Sequence, residues 1–327
     1  MITAVMLELL QSRAPPARAA DGQRCTKDIC TVEQSVYGYY PNKPVTLVLI
    51  VLFGLCMIAH IFQALRSRSW TFLVALGIGC FGEATGYVGR LLLRDDPWSR
   101  SYLGIQLVCL TVAPAFIAGG IYLTLKHVII IYGSRFSRLA PRWYTWIFVS
   151  CDILSILIQT SGAVIASRGT GKVTTGNNVM MLGLVLQVVT LLIFGLMAAD
   201  VYFRIRKFSG EQQQHSSDQP NHALRDSKRF RWLLIAITVS YVAILIRCIY
   251  RIAEMAGGWR NPIMQDEVSF LVLDGLLCFV AVVVLNVFHP GFLFKQSYAT
   301  LKSEKDGSVR RTPSEALVGS ELMTGKV

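Results

Sequence analysis

The stretch VTLVLIVLFGLCMIAHIFQA, residues 45–64, contains no Asp, Glu, Lys or Arg over twenty positions. A helix rises 1.5 Å per residue, so about 20 such residues cross a hydrocarbon layer of roughly 30 Å. Six further runs meet the same test: Trp70–Leu92, Leu103–Leu125, Trp143–Ala166, Val179–Phe203, Trp232–Ile252 and Val268–Phe288. Backbone groups in lipid must be paired internally. These runs are too long for barrel strands and lack alternation of period two, so each is expected to be a helix. The fold class expected is an all-α bundle of seven transmembrane helices.

Composition agrees. Of 327 residues 53% are hydrophobic and 16% charged, and the mean hydropathy is positive, a balance unlike that of a soluble domain. The net charge of +12 lies between the apolar runs and forms no nucleic-acid motif, which argues against a nucleic-acid partner. It reads instead as topology. Segments following the first, third, fifth and seventh runs hold nineteen Lys and Arg against five in those following the second, fourth and sixth. The basic side faces the cytosol, so the N-terminus is expected outside and the C-terminus inside. Met1 to Leu10 is too short and too weakly basic for a signal peptide, and the first helix is expected to direct insertion. Three regions follow: a mobile tail over 1–36, a membrane domain over 37–294 and a disordered cytosolic tail over 295–327. Six cysteines lie within the runs. Cys25 and Cys30 alone reach the outer side, where a local disulfide is plausible.

The informative residues are those that do not belong in lipid. An ionisable side chain in mid-helix costs on the order of 2.5–3.5 kcal/mol on insertion scales, so it is expected to face the bundle interior. Glu83, Tyr87 and Arg90 share one face of the second helix, with Gly82 and Gly86 allowing close approach nearby; Asp152, Ser155 and Gln159 form a stripe on the fourth. Gln187, Arg247, Arg251, Asp274 and Asn286 follow. With alternating helix directions, Arg247 and Asp274 each lie ~9 Å below the outer surface and can pair, with Glu83 at nearly the same depth. Asp152 belongs nearer the cytosolic half. Such groups either fix helix register or line a path for an amphipathic molecule. Arg90, Asp200 and Arg251, near helix ends, are expected to snorkel to the interface. Pro114 removes a backbone donor from the third helix and frees a carbonyl.

Enzyme motifs fail: there is no phosphate-binding Gly-x-x-x-x-Gly-Lys-Ser/Thr loop, no Cys-x-x-Cys and no His-Glu-x-x-His. His60, His127 and His289 share the cytosolic level and raise a weaker reading, a zinc hydrolase, which lacks a matching acid and serine there. No enzymatic activity, metal or cofactor is expected.

The chain also carries Glu83-x-x-Gly86-Tyr87-x-Gly89-Arg90, then Gln106 onward to Ala113-Pro114-x-Phe116 and Tyr122, then Ser137-Arg138-x-x-Pro141. Farther on come Asp152-x-x-Ser155-x-x-x-Gln159-x-x-Gly162, Arg247-x-x-Tyr250-Arg251-x-x-Glu254, Glu267, Asp274 and His289-Pro290-Gly291. In this order it resembles the fungal lipid-translocating exporter family of RTA-like proteins, over about Tyr37 to Phe294. The resemblance implies a multi-pass protein of the plasma membrane, or of vacuolar or endoplasmic-reticulum membranes. It further implies release or transbilayer movement of sphingoid long-chain bases and resistance to membrane-active compounds. The residues expected to bind such a substrate are Glu83, Tyr87, Gln106, Asp152, Gln159, Arg247 and Asp274. The alternative is a seven-helix receptor or sensor of membrane lipids, contacting a cytosolic protein through its basic loops.

Overall fold

The computed structural model describes residues 25, 29–132, 141–167, 173–212, 228–258, 261–289 and 291. Seven helices carry the fold: α1 Lys43–Ser67, α2 Trp70–Asp95, α3 Arg100–Tyr132, α4 Pro141–Ser167, α5 Val173–Gln212, α6 Lys228–Ala256 and α7 Glu267–Val287. All are long and apolar enough to cross a membrane, and no strand occurs among the described residues. The chain is a multi-pass membrane protein. Each expected run lies within one helix apart from Phe288, one residue beyond α7, and most helices are longer than the run that announced them. The 40 residues of α5 extend ~60 Å at helical rise, well beyond the hydrocarbon layer.

The end of the bundle where α1 begins is called here the N-terminal face, and the opposite end, where α7 finishes, the C-terminal face. The start of α1 is fixed locally: the Asn42 side chain accepts the Val45 amide at 3.3 Å and a proline occupies the first turn. Its far end closes on Arg68 in the left-handed region, at φ 56°. Leu49, Phe53, Cys56, His60 and Ala64 recur at spacings of three and four and are buried, while Val48, Val51, Leu55, Ile58 and Phe62 face outward. Apolar residues thus cover the outside as well as the core, as a lipid solvent requires. In α1, 28% of the membrane window is buried; in α3 the figure is 83%, which makes α3 the central helix.

Small residues set the tightest packing. A Cβ on Gly86 would lie 2.5 Å from Leu110 Cδ2, so α2 rests directly on α3; a Cβ on Gly176 would lie 2.4 Å from the Ala166 backbone nitrogen, which closes α5 on α4. Two helices contain π turns, Leu73–Gly77 in α2 and Leu271–Leu276 in α7. Near the C-terminal face Gln63 donates to Asn286 Oδ1 at 2.6 Å, and Asn286 donates to the Cys56 carbonyl at 3.1 Å, tying α7 to α1.

Before α1, Cys25 and Cys30 form the disulfide that their position outside the runs suggested. Residues 37–42 then fold back over the N-terminal face. Gly38 turns the strap at φ 72°, a region that strains any side chain. The cytosolic tail expected over 295–327 and the basic loop segments 133–140 and 213–227 lie outside the described residues, as does most of the 1–36 tail.

Candidate functional site

The site grows from a missing hydrogen bond. Pro114 has no N–H, so the Leu110 carbonyl one turn earlier loses its helical donor. Arg247, fully buried on α6, donates Nη2 to that carbonyl. Its Nε lies 2.8 Å from Asp274 Oδ1 on α7, with both side chains fully buried. The expected pairing of Arg247 with Asp274 is therefore present. Asp274 sits inside the π turn of α7, where the widened backbone redirects a side chain inward. One guanidinium thus joins α3, α6 and α7.

Glu83 on α2 adjoins this junction. Asp274, Arg247, the Cys278 thiol and, more weakly, Arg251 are the groups that act on it. The carboxyl is fully buried, and the weakly donating Cys278 thiol is the group that meets its oxygens. One turn on, Tyr87 stacks on Phe53 of α1, with centroids 5.9 Å apart, and its hydroxyl abuts Gly275 beside Asp274. Glu83, Tyr87, Arg247 and Asp274 therefore come together in one polar core.

The other three expected residues go elsewhere. Gln106 donates to the Tyr37 hydroxyl at 3.1 Å, and so belongs to the strap. Gln159 donates to Gln187 at 3.1 Å, bridging α4 and α5 instead of joining Glu83. Asp152 faces the Tyr122 hydroxyl of α3, and both of its buried oxygens lack a well-formed hydrogen bond. Depth could be counted along each helix, but the direction a side chain faces depends on which neighbour its helix packs against.

Two snorkelling expectations are overturned. Arg90 is fully buried: it donates to Tyr39 and to Glu267, both at 2.9 Å, and lies 4.4 Å from the Phe270 ring centroid and 5.6 Å from those of Tyr37 and Tyr39. The strap supplies two of the rings, and α7 the third ring and the acid, so extending toward solvent offers Arg90 nothing further. Burial holds the Tyr37 and Tyr39 hydroxyls above their ordinary range, so both remain neutral. Arg251 is buried against Glu254, with Thr111 Oγ1 3.5 Å away. Asp200, by contrast, pairs with Arg204 in a half-exposed setting. The strap completes its closure with the Asn42 amide on Glu267 at 2.7 Å and Arg94 on the Pro41 carbonyl at 2.7 Å. Glu254 and Glu267, not counted as site residues in the sequence, are the partners of two buried arginines. Their signal was depth, since each lies at the same end of the bundle as its arginine.

Phe72 lies between two of the three histidines, its ring centroid 5.7 Å from that of His127 and 6.0 Å from that of His289, and His60 packs on His289 at 6.1 Å. No group of three residues that could hold a metal ion occurs among the described residues.

Residues 76–297 match the family described as RTA1 like protein. This chain belongs to that family. Within the RTA1-like group, the sphingoid long-chain base transporter RSB1 of Saccharomyces cerevisiae is 33% identical, over 80% of this chain and 75% of its own. The probable lipid transporter atnI of Emericella nidulans is 27% identical, over 79% and 68%. Protein RTA1 of Saccharomyces cerevisiae is 28% identical, over 65% and 63%. No solved structure matches. The RTA1-like match contains the whole polar core and Arg90, while the strap at 37–42 lies before it.

Proposed function

We propose that this chain moves cationic amphipathic lipids of the sphingoid long-chain-base class across the membrane, without covalent chemistry. The observation that carries the reading is Glu83, a fully buried carboxylate with no salt bridge of its own among the described residues, beside an arginine already engaged by Asp274 and Leu110. A charged, unpaired carboxylate in such surroundings costs several kcal/mol, and an ammonium head group offsets that cost. The lipid tail stays in hydrocarbon while Glu83 and Tyr87 receive the head. Phosphate-bearing heads suit the core less well, because Arg247 is already taken. The printed names of the RSB1 and atnI relatives support the substrate class. The Lys and Arg asymmetry of the loops supports an orientation with the N-terminal face away from the cytosol.

The test is release of a labelled sphingoid base from cells lacking or overproducing the protein, with Glu83→Gln as the site variant. Release should rise with the natural chain and stay at background with E83Q at equal surface expression. Equal release from both forms would remove Glu83 from the site, and no rise with either would remove sphingoid export. Survival under a membrane-active amphiphile, measured in the same strains, tests the associated resistance.

A further inference from the structure

We propose that Asp152 is a proton site distinct from the Glu83 site, and that its loading drives lipid movement by exchanging one proton for one cationic amine. The proposal rests on the transport reading above. It begins with the charges inside the bundle. Arg90 is matched by Glu267, Arg247 by Asp274 and Arg251 by Glu254. Among the described residues two interior acids remain, Glu83 and Asp152, whose buried oxygens are met by the Cys278 thiol and the Tyr122 hydroxyl and by no salt bridge of their own. Each is therefore stabilised by taking up a cation or a proton.

Their surroundings divide these roles. Asp152 faces Tyr122, whose ring lies 4.5 Å from Phe194 and 5.6 Å from Phe148, with Phe148 and Phe194 5.2 Å apart. Rings in mutual contact leave no berth for an ammonium group attached to a long chain, whereas a proton needs none. The Tyr122 hydroxyl both donates and accepts, so it can pass a proton to or from the carboxyl. Among the described residues, the titratable groups facing this pair are Tyr122 of α3 and Cys248 and Tyr241 of α6.

Helix α6 links the two sites. Arg247 belongs to the Glu83 core, while the next residue, Cys248, feels Asp152 as well as Arg247 and Asp274. A shift of α6 that suits one site therefore changes the other. In one half of the cycle an ammonium occupies Glu83 while Asp152 is ionised, and in the other Asp152 holds a proton while Glu83 is empty, so the two states carry the same net charge. Exchange then moves one RNH3+ in one direction and one H+ in the other, with only the carboxyl O–H made and broken.

The experiment uses purified full-length protein in phosphatidylcholine vesicles, a fluorescent sphingoid base, an imposed pH gradient and an internal pH dye. The natural chain should move the base several-fold faster with the gradient than without it, with about one proton returning per base. Asp152→Asn should show a gradient-to-no-gradient rate ratio near one and no proton return, and Asp152→Glu should restore both. Tyr122→Phe, which removes only the hydroxyl and keeps the ring, should lower the ratio and decides the matter if D152N does not fold. An undiminished ratio in folded D152N or in Y122F overturns the proposal. So does base movement by the natural chain that ignores the gradient, which leaves the transport reading intact. No base movement under either condition overturns both.

Discussion

At the level of single residues, the fit between Pro114 and Arg247 explains why a helix breaker sits in the most enclosed helix of the bundle. The proline creates an unpaired carbonyl at Leu110, and the arginine occupies it. Pro114→Ala gives that carbonyl back to the helix and leaves Arg247 with Asp274 alone; release of sphingoid base should fall while protein level is kept. Removing one member of the Arg247–Asp274 pair strands the other, a loss of about 3–5 kcal/mol. Arg247→Met and Asp274→Leu should each lower the unfolding midpoint in detergent sharply, and the double variant should lose much less than the two combined. His289, just beyond α7, offers a pH signature. Burial pushes its imidazole down to about 4 from an ordinary 6.5. The folded chain therefore holds it neutral while the unfolded chain takes up a proton. Its contribution is complete above pH 6.5 and is lost as pH falls toward 4, with no further change below. Thermal unfolding across that window should show the slope, and His289→Phe should flatten it.

Helix pairs are held at two kinds of contact, and these differ in how far they can yield. At Gly86 the obstacle to a larger residue is the end of the Leu110 side chain, which can change rotamer; at Gly176 it is the Ala166 backbone. Overpacking typically costs about 1–3 kcal/mol. Gly176→Ala should fall at the upper end of that range and Gly86→Ala at the lower, compared by unfolding midpoints. A larger loss at Gly86 would mean that α2 and α3 cannot adjust. The strap is an element of another kind, held by polar contacts to α2, α3 and α7 and not by a helix interface of its own. Arg90→Lys keeps the charge but loses the planar donor that reaches Tyr39 and Glu267 together. It should increase protease access to the strap without lowering the amount of folded protein.

Across the whole molecule, the arrangement is a lipid-facing apolar shell around a chain of buried polar groups running from the strap at the N-terminal face to the Glu83 core, with Asp152 to one side. Matched arginine and acid pairs keep most of that interior neutral, and the two acids outside these pairs are the ones on which the proposed transport rests. Orientation sets the direction in which this interior is used. An epitope placed at the N-terminus should be accessible on intact cells, and one at the C-terminus only after permeabilisation. The reverse pattern would invert the proposed direction of transport.

The sequence alone determined the seven helices, because bilayer thickness and helical rise convert directly into a count of apolar residues along the chain. It also determined that Arg247 and Asp274 lie at one depth, because depth is the same count taken from a helix end. Tertiary structure decided which way each polar side chain turns and what it meets. Gln106 and Gln159 left the Glu83 core, Arg90 withdrew under a strap from before α1, and Arg247 found the carbonyl that Pro114 had freed. These outcomes depend on which helices are neighbours and how each is rotated about its axis. That information lies in contacts between distant segments and not in the order of residues within any one of them.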